Sequence, residues 1–482
     1  MNLGDDVIAA IEFWVPIAIV VGSALAAALH ALLTRETPSS AFGWIGVSLL
    51  FPPLGPLLYY MFGVNRVRVR ARRLDRDSRH GLGAHRPGAD AALRDYDTYV
   101  LDRRLGLAAA GDRLSAWPVV EGNRVEMLNN GNEAYPQMIE AIDAATGFVY
   151  LTTYIFETNQ AGRRFIDALA RAAVRGVDVR VLIDGVGEWY ALPGRRPVRM
   201  LEDVGVTVAR FLPPRLWPPS LQLNLRNHRK ILVTDRGIAF TGGMNIGDRH
   251  VVSGSAGVID MHFSLTGPIV RQVEAVFLSD WAFATGRQDM TSSRIQTEQG
   301  SAACRAVENG PTRDIERLNV LLVTAVTSAY ERIRIVTPYF LPGPALVGAL
   351  QAAALRGIEV SIVLPEANNL PFVAWAARHD LGELLERGVN IYFQPRPFAH
   401  TKLFIVDDDY ALIGSPNVDP RSLRLNFELA VELFDEATVG RLSEHVASLV
   451  ERSRVYTHAD LASRGWLARV RDSFFWLFSP YL

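Results

Sequence analysis

An α/β fold of two similar halves, carried behind a membrane-spanning helical hairpin, is what this sequence predicts. Three observations lead there. Two apolar runs precede residue 65, a set of strand and helix patterns recurs 172 to 183 residues later, and both copies hold the same short polar motif. A chain of 482 residues is long enough for two or three domains and a large core. The formal net charge of −1 argues against a protein that coats nucleic acid by bulk charge. The single cysteine, Cys304, rules out an internal disulfide and reads as core filler. No Cys/His cluster has zinc-ligand spacing, so neither a metal nor a cofactor is expected.

Val7 to Leu33 is mostly apolar, and Val15 to Leu33 carries no Asp, Glu, Lys or Arg. A second apolar run goes from Ala41 to Val64. A bilayer crossing needs roughly 20 apolar residues, so spans are expected at 10–33 and 42–64 within a hairpin of residues 1–65. A cleaved signal peptide fits poorly, because Met1 to Asp6 is acidic and a second apolar run follows at once. Pro52, Pro53 and Pro56 make a bent or partly re-entrant second helix the main rival. Arg66, Arg68, Arg70, Arg72, Arg73, Arg76 and Arg79 follow the second run, against Arg35 alone in the turn. The positive-inside rule then places both ends of the hairpin, and all that follows, on the cytoplasmic side of the inner membrane. These arginines also suit anionic headgroups.

Residues 66–114 are rich in Arg, Asp and Gly and read as a juxtamembrane linker. The repeat begins beyond them, with a first half expected at 115–290 and a second at 305–482. In the first, Phe148 to Phe156 reads as a buried strand, Phe165 to Ala173 as an amphipathic helix ended by Gly176, and Val177 to Ile183 as another strand. In the second, Arg332 to Val336, a helix from Ala345 to Leu355, Gly357 and a strand from Ile358 to Leu364 repeat the order. Met200 to Val206 likewise matches Leu384 to Val389. Strands alternating with helices of this length imply βαβ units and an α/β sandwich in each half. A period this long means duplicated domains rather than a solenoid.

The shared motif is His-x-Lys, four residues, then Asp: His228, Lys230 and Asp235 in one half, His400, Lys402 and Asp407 in the other. Each copy runs on into a Gly-rich turn with Asn, Gly242-Gly243-Met244-Asn245 and Gly414-Ser415-Pro416-Asn417. A strand from Arg226 to Thr234 would put His228 and Lys230 on one face, and Gly242 or Gly414 would let the next turn approach closely. A phosphodiester is anionic, so attack on it requires cations at its non-bridging oxygens. Lys230 and Lys402 are the candidates, with Asn245 and Asn417 as further phosphate-binding donors. Histidine titrates near neutrality and can be nucleophile or proton donor. Two histidines therefore allow one to attack phosphorus while the other protonates the leaving alcohol. Asp235 and Asp407 belong to the motif, but an Asp at a strand end is most often a turn former.

The paired motifs resemble the phospholipase D superfamily over nearly the whole chain. Asn227-His228-Arg229-Lys230, Thr337-Pro338-Tyr339-Phe340, Gly414 to Ser422 and Asn426-Phe427-Glu428 are similar to segments of bacterial cardiolipin synthases. So are the hairpin, with Pro52-Pro53-Leu54-Gly55 and Tyr59 to Gly63, and the ending Phe478 to Leu482. The resemblance implies two phospholipase D-like α/β sandwich halves forming one active site. It implies transfer of a phosphatidyl group between two phosphatidylglycerol molecules at the membrane, releasing glycerol. His228 would be the nucleophile and His400 the general acid. It also implies a carboxylate behind each histidine. Asp260 and Glu428, 32 and 28 residues beyond His228 and His400, fit that role with the pairing left open. The stretch Val258-Ile259-Asp260-Met261-His262 departs from the aromatic-plus-Arg pattern common in the synthases, which bears on the acceptor. His262 reads as a satisfied neighbour rather than a third catalytic histidine.

Three rivals remain at this stage. A membrane-bound phospholipase D with water as acceptor shares every motif, differing only in water exclusion. A nucleic-acid phosphodiesterase is disfavoured by the neutral charge and the hairpin. An inactive scaffold would show a broken motif in one half, and neither is broken. Trp466-Leu467 and Phe474 to Phe478 suit either an interfacial helix or packing on the core, with packing the plainer expectation.

Overall fold

The computed structural model describes residues 3–35, 38–63, 100–214, 225–254, 256–287, 297–310 and 316–479. Arg66 to Arg79, most of the expected linker, and Pro480 to Leu482 lie outside them. The chain divides into two compact units, Met1–Arg73 and Leu74–Leu482.

In the first unit, one helix runs Leu3–Thr34. Its stretch Ile11–Thr34, 24 residues, is long and apolar enough to cross a bilayer; at 1.5 Å per residue it extends about 36 Å against a hydrocarbon core of about 30 Å. The second run departs from the single span expected at 42–64. It forms a helix Pro38–Leu50, a short helix Leu54–Leu58 and a π turn Tyr59–Gly63. Pro52 and Pro53 withhold N–H donors, and proline disfavours helical geometry in the residue before it, so the helix stops at Leu50. Its 13 residues cover only about 20 Å. The broken arm still packs on the first helix, with Tyr59 Oη 2.6 Å from His30 Nδ1.

The second unit is built on seventeen strands among the described residues. The first half supplies β1 (Val120–Asn129), β2 (Phe148–Thr153), β3 (Asp178–Asp184), β4 (Thr207–Phe211), β5 (Ile231–Thr234), β6 (Ile238–Gly242), β7 (Val258–Ile259) and β8 (Met261–Thr266). The second supplies β9 (Ala302–Asn309), β10 (Arg332–Val336), β11 (Glu359–Pro365), β12 (Asn390–Gln394), β13 (Phe398–Ala399), β14 (Leu403–Val406), β15 (Tyr410–Gly414), β16 (Glu428–Phe434) and β17 (Arg454–Tyr456). Fifteen form one sheet, in the order β17-β12-β11-β10-β14-β15-β16-β9-β1-β8-β6-β5-β2-β3-β4. Read outward from the β9–β1 seam, each side repeats the other, and β17 is the one unmatched strand. In each half three neighbouring strands run parallel, β2-β3-β4 and β10-β11-β12, and β17 pairs antiparallel on the outside of β12.

The helices between parallel strands form where the repeat predicts them. Gln160–Val174 follows β2, and Pro344–Leu355 follows β10. Each ends two residues before Gly176 or Gly357, with a single αR residue between, and both glycines take positive φ, as a helix C-terminus requires. Each half has its own apolar core, one around Phe165, Leu169, Val181 and Phe240, the other around Leu321, Ile335, Leu350 and Ile362. Cys304 is fully buried on β9.

The expected linker boundary at 114 is corrected. Asp102–Arg104 forms a 3-10 turn and Leu105–Leu114 a helix whose Leu107 and Ala108 enter the core of the second half. Arg104, 1% exposed, pairs with Asp407 and with Asp409, and donates to Ser328 O at 2.8 Å. Removing one partner of a buried ion pair strands the other charge, at a cost of about 3–5 kcal/mol. Arg104→Met should therefore lower unfolding free energy by that order in urea titrations of the detergent-solubilised chain; an unchanged midpoint would contradict this anchoring.

Candidate active site

The two histidine segments are held by the opposite half. The strand expected from Arg226 begins only at Ile231, because the residues before it pair elsewhere. Phe427 N donates to Arg226 O and His228 N to Phe427 O, both at 2.9 Å. In mirror fashion β13 runs parallel to β7, and His400 N donates to Ile259 O at 2.7 Å. Each histidine thus lies beside the segment that carries the other half's carboxylate.

The pairing left open by the sequence follows from this exchange. His228 Nδ1 stands 3.1 Å from Glu428, and His400 Nδ1 stands 2.8 Å from Asp260. Both carboxylates are buried. A carboxylate on Nδ1 fixes the ring and leaves Nε2 as the reacting nitrogen. The two pairs lie in one electrostatic neighbourhood: the charge of Lys402 acts on His228, and those of Lys230 and His228 act on His400.

Burial sets the protonation states. It lowers His228 below the usual histidine range against the opposing pull of Glu428. Burial, then Lys402 and Lys230, hold His400 well below that range. Lys402 Nζ donates to His400 O at 2.5 Å and lies 2.8 and 3.2 Å from the two ring nitrogens, so its charge opposes protonation of the ring. Lys230 Nζ donates to His228 O at 2.6 Å. Desolvation pushes Lys230 down to about 7 and Lys402 down to about 8.

The carboxylates differ. Burial raises Asp260, only partly offset by Lys402. Burial would raise Glu428 too, but His228 and Lys230 outweigh it and the group ends below its ordinary value. Ser415 contributes to that result through its Oγ, which donates to Glu428. At the equivalent turn of the first half stands Gly243, where a Cβ would come within 2.3 Å of Asp260 Oδ1. The glycine makes room for one carboxylate, whereas the serine hydrogen-bonds the other. Gly242 and Gly414, at positive φ, permit the close approach expected of them; a Cβ would lie 2.7 Å from Met261 O and 2.2 Å from Leu429 O respectively.

Asn245 accepts from Ile155 N through Oδ1 at 3.1 Å, which directs its amide NH₂ end away from the segment after β2. Asn417 is engaged differently, hydrogen-bonding the Asp419 side chain. Asp235 and Asp407 are corrected from the catalytic set. Each sits at the far end of a four-residue strand from its lysine, five residues and so about 16 Å along the chain. Asp235 accepts from Thr146 N and Oγ1 at 3.0 and 2.9 Å; Asp407 accepts from Glu331 N and Arg332 N at 2.8 and 2.9 Å. They close turns. His262 is buried, lines a small cavity with Lys230 and Asn245, and is held near 4, hence neutral, by burial.

Sequence reasoning missed the supports. Arg229 donates to Asp280 at 2.6 Å and to Glu428 O at 3.0 Å, and Asn227 Nδ2 donates to Asp280 at 3.0 Å. Arg226 pairs with Asp184, which also accepts from Asn227 N at 2.9 Å. Arg226, Asn227 and Arg229 flank His228 directly, and that adjacency was the available signal; the distant acids carried none. Tyr154 and Tyr339 present ring edges to His228 and His400, centroids 5.4 and 6.2 Å apart.

Two α/β halves that exchange His–carboxylate pairs over two lysines define an enzyme of the phospholipase D type. The comparisons place it further. A model described as cardiolipin synthase, phospholipase D-like domain, matches residues 138–281 and 322–450, and one described as phospholipase D-nuclease N-terminal matches 23–63. A cardiolipin synthase of Geobacillus kaustophilus is 31% identical over 94% of this chain and 91% of its own length. Cardiolipin synthase A of Pseudomonas entomophila is 32% identical over 95% of each. The fold is shared with a crystal structure of phosphatidylserine synthase from Haemophilus influenzae, at TM-score 0.63 and 17% identity over 78% of this chain and all of that one. The chain belongs to the cardiolipin synthase family.

The depressed lysines have a measurable consequence. A cationic group is charged below its pKa, so near pH 8 in the free enzyme Lys230 is mostly neutral and Lys402 about half charged. A bound anion favours the charged forms. Binding of tungstate, a phosphate mimic, should therefore take up protons at pH 8. Calorimetry in two buffers of different ionisation heat measures this, and equal heats in both buffers at pH 8 would contradict it.

Proposed function

We propose that this enzyme transfers a phosphatidyl group from one phosphatidylglycerol to a hydroxyl of a second, giving cardiolipin and glycerol through a phosphohistidine. The crossed His–carboxylate pairs over two lysines are the observation that carries the reading, and the names of the relatives supply the substrate class. Lys230 and Lys402, with the Asn245 amide, take the non-bridging phosphate oxygens. Asn417 adds a donor if its amide turns from Asp419 toward the ligand.

His228 Nε2 attacks phosphorus, and the P–O bond to the glycerol headgroup breaks. His400, protonated at Nε2, gives that proton to the leaving alkoxide. The second phosphatidylglycerol hydroxyl then returns a proton to the now neutral His400 as its oxygen attacks phosphorus and the P–N bond breaks. The assignment of nucleophile rests on the carboxylates. Glu428, kept ionised by its partners, accepts a hydrogen bond from the Nδ1–H of His228 and raises the electron density at Nε2. His400 is neutral in the free site; the arriving phosphate adds the negative charge that favours its imidazolium. Asp260 orients that ring.

The membrane arrangement belongs to the same proposal. The Leu3–Thr34 helix anchors the chain in the cytoplasmic membrane, the broken arm re-enters or crosses beside it, and the arginines after residue 65 hold the catalytic unit on the cytoplasmic face.

Purified protein in phosphatidylglycerol vesicles should release cardiolipin and glycerol in equal amounts. Phosphatidic acid without cardiolipin would instead make it a hydrolase. His228→Ala should abolish turnover. His400→Ala should slow it about 10²–10⁴-fold and leave radiolabelled phosphatidyl on the protein after a rapid quench. Label in His228→Ala, or none in a slow His400→Ala, would reverse or refute the assignment. Glu428→Gln should cost more than Asp260→Asn in the rate of labelling, because Glu428 serves the attacking ring.

A further inference from the structure

We propose that the catalytic unit carries its own bilayer-docking surface around the active-site mouth, made by the outer face of helix Trp466–Trp476 and the loop Trp189 to Leu192. This rests on the phospholipid reading above. Helix Trp466–Trp476 is amphipathic in an unusual sense, because both its faces are apolar and only one is covered. Phe475 and Trp476 pack against Phe372, Trp375 and His379 of helix Pro371–Glu386, and Asp472 is buried in a pair with Arg464. Trp466, Leu467, Val470, Phe474 and Leu477 stand 54–71% exposed and Phe478 46%. At 3.6 residues per turn these six fall within an arc of about 120°. Arg469 and Arg471 border the arc on either side. Packing alone, the plainer expectation from sequence, accounts for one face only.

The stripe lies close to the chemistry. Helix Pro371–Glu386, on which it docks, follows the turn whose Asn369 accepts from Tyr339 Oη at 2.7 Å, and Tyr339 is the ring set edge-on to His400. The matching loop of the first half, after β3, holds Trp189, Tyr190 and Leu192 at 48–53% exposure. Tyr190 adjoins Tyr154, the ring edge-on to His228. Aromatic and aliphatic side chains thus rim both halves of one mouth. A phospholipid leaves the bilayer only at about 0.8 kcal/mol for each methylene exposed. A site that acts on its headgroup therefore gains by meeting the interface, and a protein partner on the same rim would close the entrance instead. Arg469 at the border of the stripe suits anionic headgroups, whereas Arg471 pairs with Asp472 and stacks on Trp375.

The lone cysteine makes the test clean, since Cys304 is fully buried. An environment-sensitive fluorophore is attached at Leu467→Cys or Phe474→Cys in the full chain, reconstituted in phosphatidylglycerol/phosphatidylcholine vesicles. Val174→Cys, 86% exposed at the end of the helix that leads into β3 and so at the opposite end of that strand from the Trp189 loop, is the control. Labels at 467 and 474 should shift to the blue and be quenched by brominated acyl chains, and the label at 174 should not. Equal behaviour at all three positions would overturn the proposal, as would concentration-dependent self-quenching at 467 in detergent, which points to a second copy. Leu467→Ser with Val470→Ser and Phe474→Ser should raise the half-saturating mole fraction of phosphatidylglycerol in the vesicles about tenfold, while turnover of monomeric dihexanoyl phosphatidylglycerol stays unchanged. Equal loss on both substrates would make the stripe structural. Insertion of the labels without any turnover would sink the catalytic reading and leave the docking surface standing.

Discussion

The exchange of two backbone segments between halves is the constraint on which this structure depends. Phe427 pairs with the residues before Lys230, and β7 with those before His400. Because each histidine is hydrogen-bonded to the carboxylate of the other half, neither half holds a complete pair. Both pairs are buried, so separating the halves would leave two carboxylates and two lysines without their partners in a low-dielectric surround. The β9–β1 seam adds a continuous sheet to the same interface, and Arg229 spans it by bonding Asp280 of one half and Glu428 O of the other. Duplication has thus produced a structural unit whose stability and whose site depend on the same contacts.

That arrangement also governs charge. Lys230 and Lys402 are balanced by Glu428 and Asp260, with both rings neutral, so the free site carries little net charge at neutral pH. Burial is affordable for such a set only because every charge has a partner within the set. The cost shows in the lysines, which sit three units or so below solvent-exposed lysine. An anion entering the site relieves that cost, which favours phosphate over neutral ligands without any excess positive charge on the surface.

Much of this was legible. The two halves, their strand-helix-strand order, both motifs and the glycine helix ends are repeated locally in the chain, and local repetition is what sequence periodicity reports. The hairpin's second arm was less so: residues 42–64 are apolar enough to suggest a span, yet the missing N–H groups of Pro52 and Pro53 decide the outcome. The stretch from Asp102 to Leu114 looked like linker because it is rich in Arg, Asp and Gly and weakly patterned; what orders it is Arg104, bonded to aspartates about three hundred residues on. The same holds for Asp280 under Arg229 and for the crossing of the carboxylates. Spacing brought Asp260 and Glu428 forward as candidates, but partner choice is set by pairing across the seam, and no periodicity within one half encodes it. Asp235 and Asp407 are the converse case, constant in spacing for a structural reason.

One residue pair makes the symmetric site unequal. Gly243 and Ser415 occupy the same turn in the two halves, and they treat their carboxylates oppositely. The hydroxyl of Ser415 is a donor that favours ionised Glu428, whereas Gly243 offers Asp260 only space. A two-step displacement through a histidine needs one ring that stays unprotonated and nucleophilic and another that can carry a proton to the leaving oxygen. Two identical rings in identical surroundings would have no reason to divide those tasks. An ionised carboxylate kept on His228 holds the Nδ1–H tautomer that leaves Nε2 free to attack, which supports His228 as the attacking ring. His400, kept neutral in the free site by burial and the lysines, gains its proton when the phosphate arrives. Chemical direction in the proposed mechanism then comes from the groups behind the two histidines, where the copies have diverged in the carboxylate itself and in the residue beside it.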